Sequence, residues 1–576
     1  MASSDRSVVV VGASAAGLRC ACRLARLKPG WQVGVVEAEP VFSYAACGLP
    51  YALSGEIADP SALRTTSYKA VRDARFFAEE KGVTVLAGWR ATEVRLAEGL
   101  LKVESREGER QLRWDELVLA TGARPRRLPG QPDHPRVRAF HRWDDLEPLL
   151  EGLRRGEIGR VALVGAGLVG CELAEAFTSL WGAEVTLVEA GPTPLPELLD
   201  PEVGACVARH LESSGVSVRG DSPVRRIDAS DDGVKVLLED GEVAADMAVV
   251  AVGVEPEVEL ARSVGARIGP TGAIAVDERL ATSLPHVWAA GDCVEVRDAV
   301  TATAVFRPLG SLANRQGRTL ANILAGRRDV FPPVAGAAAV KVFDFNVAAT
   351  GCTERQARAR GVAVRSMWIT ADDRAHYWPE NEKIHLKMVY ERDSQRVVGI
   401  QAVGTGEVAK RIDVATQLIS RGATLGEVAQ TEHAYAPPYA PAVDPLAVAA
   451  WAAQNQEDGV EAECPTVGLE DVVDVRLPEE REARPADAEH VEELSVVELR
   501  DGQSVRTAPR GIVVCERGTR SAEATRLLRD RGGARYLGGG LQWRDAALPR
   551  ELPGELPGAP TEAAGPTRAP ATRAKD

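Results

Sequence analysis

A single cysteine in a short glycine- and aromatic-containing stretch is the residue of this sequence best placed for redox chemistry. Cys47 lies in the run F-S-Y-A-A-C-G-L-P-Y over residues 42–51, and no second cysteine lies within five residues of it. A thiol without a neighbouring thiol must react through a mixed disulfide, a persulfide or a sulfenate. We expect Cys47 to open a helix, because a positive helix end stabilises the thiolate that this chemistry requires.

A second cysteine that could handle sulfur follows a buried strand near the end of the chain. The apolar run 511–514 predicts the strand, and a helix is predicted to extend to about Arg529. Between them lies the loop Cys515, Glu516, Arg517, Gly518, Thr519 and Arg520. A strand, a cysteine loop and a helix surround the thiol with backbone N–H groups, which stabilise a thiolate or a persulfide anion. We therefore expect sulfur transfer to or from Cys515.

The remaining seven cysteines are predicted to be ordinary buried side chains. The sequence has nine cysteines, an odd number, and their scattered positions do not indicate a disulfide framework. The sequence has no zinc-like C-x-x-C pair, since Cys20 and Cys22 are only two apart on a predicted helix and so face different ways, and its eight histidines are also scattered. We expect no metal site.

Two glycine-rich turns in the sequence could bind the dinucleotides that supply electrons to this sulfur chemistry. The first follows the apolar run 7–11 and contains Gly12, Ser14, Ala15 and Gly17, and Glu37 ends the next predicted strand. Glycines allow a tight turn and close approach of a pyrophosphate to the helix N-terminus, and the acid is placed to accept from a ribose hydroxyl.

The second turn repeats this pattern. It contains Gly165, Gly167 and Gly170, with Glu172 on the helix that follows and Glu189 at the end of the next strand. An acid at this place favours a free ribose 2′-hydroxyl, and residues 190–196 contain no arginine for a 2′-phosphate. The sequence therefore favours NADH over NADPH.

Two further motifs distinguish the two nucleotide sites. The stretch 114–125 ends in a turn with Thr121 and Gly122, and the stretch 281–292 ends in Gly291 and Asp292. Over residues 7–450 the chain resembles the pyridine nucleotide–disulfide oxidoreductases. The resemblance implies that the first fold binds FAD, that Asp292 contacts its ribityl chain, and that the inserted second fold binds NADH.

The cysteine stretch resembles the single-cysteine branch of that family. This branch contains coenzyme A-disulfide reductases, persulfide reductases, and NADH oxidases and peroxidases. Ser43 matches a serine four residues before the family cysteine, whereas Ala46 stands where the family often has asparagine. The resemblance implies that an oxidised flavin adds to the stabilisation of the Cys47 thiolate and that coenzyme A is a substrate or ligand.

Residues 332–450 resemble the dimerisation domain of the family, which implies a homodimer. Two aromatic stretches, at 376–379 and 433–439, stand out in this part. The resemblance implies that Tyr377 and Tyr435, and less directly Tyr439, reach the active cysteine of the partner subunit. A phenol there could donate a proton to a leaving thiolate.

The C-terminal part resembles the rhodanese fold, although the usual Gly-His-Ile segment is missing and Glu516 stands where a cation often helps to bind thiosulfate. The fold class predicted overall is α/β, with two tandem Rossmann-like domains, an α+β dimerisation domain and this rhodanese-like α/β domain. The predicted boundaries are 1–150 and 281–331 for FAD binding, 151–280 for NAD binding, 332–452 for dimerisation, 453–465 for a linker, 466–547 for the rhodanese-like domain and 548–576 for a disordered tail.

The composition limits the partners and the location. The formal charge of −14 argues against nucleic acid and anionic membranes, and no apolar run approaches the length of a membrane span. Residues 1–7 lack the basic region of a signal peptide, so we expect a cytoplasmic protein.

The function expected is NADH-dependent, FAD-dependent reduction of a coenzyme A disulfide, persulfide or polysulfide at Cys47, with Cys515 handling sulfane sulfur on a tethered domain. Three alternatives remain open. The chain could be an NADH oxidase that cycles Cys47 through a sulfenate, or a sulfurtransferase with a redox-sensing flavoprotein portion. It could also be a flavin reductase for a protein partner such as a ferredoxin, with Cys47 idle.

Overall fold

The computed structural model describes residues 6–502, 511–529 and 534–548. Nearly all of the predicted tail, 548–576, lies outside these residues. The described chain forms four packed α/β units, each around its own sheet.

The first unit is built on a parallel five-stranded sheet. Its strands, in spatial order, are Val287–Ala289, Glu116–Leu119, Ser7–Val11, Gln32–Glu37 and Thr84–Ala87. Apart from its first residue, Ser7, the central strand is apolar and buried, as expected when helices cover both faces of a parallel sheet. The edge strand Val287–Ala289 pairs with Glu116–Leu119, although the two are far apart in the chain. A second unit is therefore inserted between these two strands of the first.

The inserted unit has a second parallel sheet of the same kind. Its strands are Ser217–Arg219, Glu184–Val188, Arg160–Val164, Met247–Val250 and Val137–Ala139. Each unit also carries a three-stranded antiparallel sheet, and two short two-stranded ribbons complete this half. The antiparallel strands are Arg90–Arg95, Leu100–Ser105, Gly108–Arg113, Arg226–Ser230, Gly233–Leu237 and Glu242–Ala245, and the ribbon strands are Ala123–Pro125, Val254–Pro256, Val296–Arg297 and Ala304–Val305.

The helices of these two units flank the sheets. They are Ala15–Leu27, Leu49–Leu53, Ala74–Lys81, Leu146–Arg154, Leu168–Ser179, Pro201–Ser213, Glu259–Ser263 and Gly310–Leu324, with short 3₁₀ helices at Ala46–Gly48, Pro60–Arg64, Leu96–Glu98 and Trp143–Asp145. Helix Gly310–Leu324 packs along helix Ala15–Leu27, with Gly317 directly against the Ala16 backbone.

The third unit is an antiparallel sheet flanked by helices. The strands in order are Ala338–Val342, Phe345–Gly351, Val397–Gly404, Lys383–Glu391 and Val364–Asp372, and the helices are Glu354–Ala359, Ala409–Ser420, Leu425–Ala429 and Pro445–Glu457. The strands Ala338–Val342 and Phe345–Gly351 are joined by a tight turn, in which Phe343 adopts φ +56°. The chain reverses there and begins a second strand.

The fourth unit is a parallel sheet of five short strands. They are Ala462–Glu463, Arg535–Leu537, Ile512–Val514, Asp471–Asp474 and His490–Glu493, with helices Pro478–Ala483, Val496–Arg500, Thr519–Leu528 and Gly540–Ala547. The segment 453–465, predicted as a linker, differs from that expectation. It contains the end of the long helix, to Glu457, and an edge strand of this sheet at Ala462–Glu463.

The fourth unit packs against the third through buried side chains. Trp543 is fully buried and lies against His385 of the third unit, with ring centroids 5.2 Å apart. Thr370 Oγ1 donates to the carbonyl of Gly539 at 2.7 Å, and Gly538 lies against the Trp368 ring. The fourth unit is therefore held by a buried aromatic interface as well as by its covalent connection to the rest of the chain.

Candidate active site

Cys47 is solvent-exposed, and it is the exposed member of the nine cysteines, all of which the structure describes. It lies in the 3₁₀ helix Ala46–Gly48, which leads directly into helix Leu49–Leu53. The N-terminus of the long helix Gly310–Leu324 is close by, since a β-carbon placed on Gly310 would lie 4.0 Å from the Cys47 sulfur. That helix end has no side-chain cap, so its free N–H groups and positive dipole lie near the sulfur.

The side chains around Cys47 do not favour its thiolate. Partial burial of the sulfur raises the pKa of Cys47, and the nearby carboxylates of Glu172 and Asp292 raise it further. These side chains therefore oppose the stabilisation of the thiolate that is expected from the helix end and the flavin. The cause is that two acids from distant parts of the sequence converge on the cysteine.

Ser43 fixes the loop that carries the cysteine. It is buried and adopts φ +55°, a strained conformation for a residue with a β-carbon. Its N–H donates to the carbonyl of Ala13 at 3.3 Å, which ties the cysteine loop to the first glycine-rich turn. Ser43 thus positions the loop through its backbone.

The first glycine-rich turn has the geometry of a dinucleotide cradle. Gly12 adopts φ +110°, and a β-carbon there would lie 2.1 Å from the Ala120 carbonyl oxygen. Ser14 and Ala15 begin a helix whose first N–H groups have no side-chain cap, and a β-carbon at Gly17 would lie 1.9 Å from the Gly12 carbonyl oxygen. The carboxylate of Glu37 accepts from the N–H of Ala13 at 2.7 Å. An uncapped helix N-terminus behind a glycine turn fits a pyrophosphate.

The second turn repeats this construction. A β-carbon at Gly165 or Gly170 would clash with backbone, whereas the space above Gly167 is open. Glu189 accepts from the N–H of Ala166 at 2.8 Å. The two acids therefore occupy equivalent places, and both turns fit a dinucleotide.

One cation near the second acid was not visible from the local sequence. The N–H of Glu189 donates to the carbonyl of Arg219 at 2.8 Å, because their strands are parallel neighbours. The stretch 190–196 lacks arginine, but the pairing of the two strands brings the exposed Arg219 to the end of the strand that precedes Glu189. The backbone of an arginine 30 residues further along the chain thus lies beside Glu189.

The junction between the two nucleotide units contains the other predicted cofactor residues. Thr121 Oγ1 donates to the carbonyl of Glu257 at 2.6 Å, and Gly122 adopts φ +73° where the chain crosses over. The N–H of Gly291 donates to Gln316 Oε1 at 2.5 Å. Burial raises the pKa of Asp292 to about 6, and no side chain in the described ranges pairs with its carboxylate. A half-buried acid without a partner fits a ligand with hydroxyl groups, such as a ribityl chain.

Tyr377 and Tyr435 lie together on the surface of the third unit. Tyr435 forms a hydrogen bond with Tyr377, and this bond raises the pKa of Tyr435. The side chains of Tyr377, Tyr435 and Tyr439 are 63%, 51% and 72% exposed. Large aromatic side chains that cluster on a surface in this way often mark an interaction site. The fold therefore joins the two aromatic stretches into one exposed face.

Cys515 lies at the base of its predicted loop. Its sulfur accepts from the N–H of Gly518 at 3.2 Å and from the N–H of Ser521 at 3.4 Å. Helix Thr519–Leu528 begins here, so the expected ring of backbone donors is present. The thiol is 1% exposed, and a sulfur donor would therefore have to displace neighbouring groups to reach it.

The charged residues of that loop bind other protein groups. Glu516 pairs with Arg476 and Arg484 at 2.9 and 2.6 Å. Arg520 makes a two-pronged ion pair with Glu480 at 2.6 and 2.7 Å. Arg517 reaches Asp372 of the third unit at 2.7 Å, which ties the cysteine loop to the neighbouring domain.

No group of three or more potential metal ligands occurs among the described residues. Within the same residues, no helix is both long and apolar enough to cross a membrane.

Two turns that fit dinucleotides, an exposed cysteine near acids of both of their units, and an antiparallel domain with an exposed aromatic face define a flavin- and nicotinamide-dependent oxidoreductase. Family comparison agrees with this class. Residues 6–306 match the pyridine nucleotide-disulphide oxidoreductase family and residues 337–447 match its dimerisation domain, so the chain belongs to this family. Its cofactors are accordingly FAD and NAD(P)H.

Individual relatives refine the comparison. A CoA-dependent NAD(P)H sulfur oxidoreductase from Pyrococcus abyssi is 35% identical over 449 residues, which are 77% of this chain and 97% of that protein. The structure of a NAD-dependent persulfide reductase from A. fulgidus is similar with a TM-score of 0.89 and 38% identity, covering 93% of this chain and 99% of that one. A reduced Bacillus anthracis protein called CoADR-RHD has a TM-score of 0.86 and 28% identity, covering 95% and 98% of the two chains.

Proposed function

We propose that this chain reduces the sulfur–sulfur bond of a coenzyme A disulfide, persulfide or polysulfide at Cys47, using NAD(P)H through FAD. The observation that carries the proposal is the exposed sulfur of Cys47, which lies at the N-terminus of helix Gly310–Leu324 and near Glu172 of the second unit and Asp292 of the first. The names of the relatives support the substrate class, since they are CoA-dependent sulfur and persulfide reductases. FAD and NAD(P)H, when bound, supply the electron pair.

In this proposal the Cys47 thiolate attacks one sulfur of the substrate. A bond forms between Cys47 and that sulfur, and the other sulfur leaves as a thiolate or as sulfide. The electron pair then breaks the mixed disulfide and restores the Cys47 thiolate. In the homodimer that we propose, Tyr435 of the partner subunit protonates the leaving sulfur.

An arginine-rich surface supports coenzyme A as the thiol carrier. Arg19 and Arg23 project from helix Ala15–Leu27, and Arg318 and Arg327 lie along and just beyond the neighbouring helix. Partial burial and the guanidinium groups of Arg318, Arg327 and Arg26 lower the pKa of Arg23, and the single carboxylate of Asp329 opposes them. The surface therefore carries excess positive charge. Arg318 is two helical turns, roughly 12 Å, from Gly310 at the cysteine, so a substrate could place its sulfur at Cys47 and its phosphates here.

A substrate panel tests this function. Purified protein with FAD and NADH should oxidise NADH with coenzyme A disulfide or coenzyme A persulfide at least tenfold faster than in air alone. The mass of the oxidised Cys47 peptide should correspond to a coenzyme A or persulfide adduct. Oxygen-dependent turnover that ignores these acceptors, with a sulfenate on Cys47, would establish the NADH oxidase instead.

We further propose that the fourth unit is a rhodanese-like domain and that Cys515 carries sulfane sulfur. The backbone donors around its sulfur support this role, because they stabilise a persulfide anion. Cys515→Ala should reduce thiocyanate formation from thiosulfate and cyanide to the uncatalysed background, and leave NADH-dependent reduction of coenzyme A disulfide unchanged. Cys464→Ala is the matched control. Equal thiocyanate formation by both variants would show that the domain has only a docking role.

A further inference from the structure

Two cross-strand neighbours of the third unit hold a backbone carbonyl of the fourth unit. Thr370 and His385 are paired in the antiparallel sheet, and both side chains are buried. The Thr370 hydroxyl donates its one proton to the carbonyl of Gly539 at 2.7 Å. Its oxygen must therefore accept from His385 Nδ1, which lies 3.0 Å away. The imidazole thus fixes the direction of the hydroxyl, and the hydroxyl satisfies the buried carbonyl.

The carbonyl that Thr370 holds belongs to a glycine turn behind Cys515. Gly539 and Gly540 adopt φ +68° and +69°, and a β-carbon at Gly540 would lie 2.6 Å from the Cys515 carbonyl oxygen. The N–H of Leu541, directly after the turn, donates to that same carbonyl at 2.9 Å. The turn therefore supports the Cys515 loop from behind, backbone against backbone.

The glycine turn also lies against the residue whose N–H group reaches the sulfur. A β-carbon at Gly518 would lie 3.4 Å from the nitrogen of Gly539 and 3.7 Å from that of Gly540. The N–H of Gly518 donates to the Cys515 sulfur at 3.2 Å. Contacts therefore connect the Thr370 hydroxyl, through Gly539 and Gly518, to the sulfur.

A second contact joins the same strand of the third unit to the loop. Arg517, which lies between Cys515 and Gly518, pairs with Asp372 at 2.7 Å. Asp372 follows Thr370 by two residues on strand Val364–Asp372 and also binds Lys383. The end of this strand therefore holds both the loop and the turn behind it.

We propose that Thr370 is a positioning residue for sulfur transfer at Cys515, so that the third unit is part of the sulfur-transfer site. This inference rests on the role proposed above for Cys515. Thr370 holds the glycine turn through the Gly539 carbonyl, and the turn keeps the Gly518 N–H directed at the sulfur. Sulfur transfer then requires the docked arrangement of the two units, because separating them removes the donor to Gly539.

The reaction shows why the support matters. The Cys515 thiolate takes the outer sulfur of thiosulfate and becomes a persulfide anion, and sulfite leaves. Cyanide then takes that sulfur and leaves as thiocyanate, which restores the thiolate. The cysteine carries one negative charge on sulfur before and after each step, and backbone N–H groups stabilise that charge. A loop without its support should transfer sulfur more slowly and cover the thiol less completely.

The variant Thr370→Val tests the proposal in the full-length holoenzyme, because valine keeps the shape of threonine and leaves the buried Gly539 carbonyl without its donor. We expect kcat for thiocyanate formation to fall at least fivefold. Alkylation of Cys515 by iodoacetamide, followed by mass spectrometry of its peptide, should become at least threefold faster. Thr370→Ser keeps the hydroxyl and should restore both values to within twofold of the wild type.

The controls separate positioning from general loosening. Thr350→Val removes a buried hydroxyl on another strand of the same sheet, one that accepts from Thr416, and should behave like the wild type. The buried thiols of Cys171 and Cys206 should stay unreacted in every variant, as the same digests show.

Four results would overturn the proposal. They are a wild-type value for Thr370→Val in either measurement, no rescue by Thr370→Ser, equal changes in Thr350→Val, and alkylation of Cys171 and Cys206 together with Cys515. Failure of the function proposed for Cys515 is a separate result, since it would appear as a wild type that forms no thiocyanate. The alkylation rates would still show whether Thr370 holds the loop.

Discussion

Cys47→Ser should lower NADH-dependent reduction of coenzyme A disulfide or persulfide by a factor on the order of 10⁴, because a serine hydroxyl is not ionised at neutral pH and cannot form the mixed disulfide. The substitution is nearly isosteric and lies at an exposed position, so the fold and the FAD content should not change. Turnover is measured as NADH oxidation under anaerobic conditions, with each acceptor at saturation.

An acceptor that takes electrons directly from the flavin separates chemistry from folding. Reduction of ferricyanide by NADH should be retained in Cys47→Ser, since this reaction does not need the thiol. Cys464→Ser, which changes a half-buried cysteine of the fourth unit, is the matched control and should behave like the wild type. Disulfide reduction that persists in Cys47→Ser would favour a flavin reductase that acts without the cysteine.

Lys387→Met should destabilise the protein by about 3–5 kcal/mol, because it leaves buried carboxylates without their cation. The Lys387 ammonium is 1% exposed and lies 3.0 Å from Asp200, 2.5 Å from Glu202 and 2.8 Å from Glu354. Burial opposes the charge on Lys387, but the three carboxylates outweigh it and raise its pKa. Asp200 and Glu202 belong to the NAD unit and Glu354 to the third unit, so the cluster joins two domains.

The penalty should depend on pH in a defined direction. In the wild type, burial opposes ionisation of Asp200 and Glu354, but Lys387 and hydrogen bonds lower their pKa values. Their stabilisation is therefore present above the unfolded pKa near 4 and is lost as the pH falls through the lower folded pKa. Without the lysine, burial is no longer offset by its charge. The folded pKa values rise, and protonation relieves the repulsion.

Thermal melts at pH 8 and pH 5 measure this difference. The loss in melting temperature of Lys387→Met should be larger at pH 8 than at pH 5. Lys235→Met removes an exposed ion pair with Glu242 and should change stability by at most about 1 kcal/mol at either pH. A larger loss at pH 5, or no loss at either pH, would contradict the account of the cluster.

The short-range features of this protein were determined by the sequence itself. A glycine is required at Gly12 and Gly165 because each turn has a positive φ and a carbonyl within a β-carbon's reach. These requirements are local, so the two Rossmann folds and the family were predictable from motifs. The loop from Cys515 to Arg520 was predictable for the same reason, because the N–H groups that donate to the Cys515 sulfur follow it closely in the chain.

The tertiary structure alone decided which distant groups meet. Arg219 comes beside Glu189 through strand pairing, Glu172 comes beside Tyr51 through packing of two helices, and Trp543 is buried at a domain interface. None of these pairs leaves a pattern in the local sequence, because side chains far apart in the chain are brought together only by the order of strands and the packing of domains. The charge around Cys47 and the fixed position of the C-terminal domain follow from that packing.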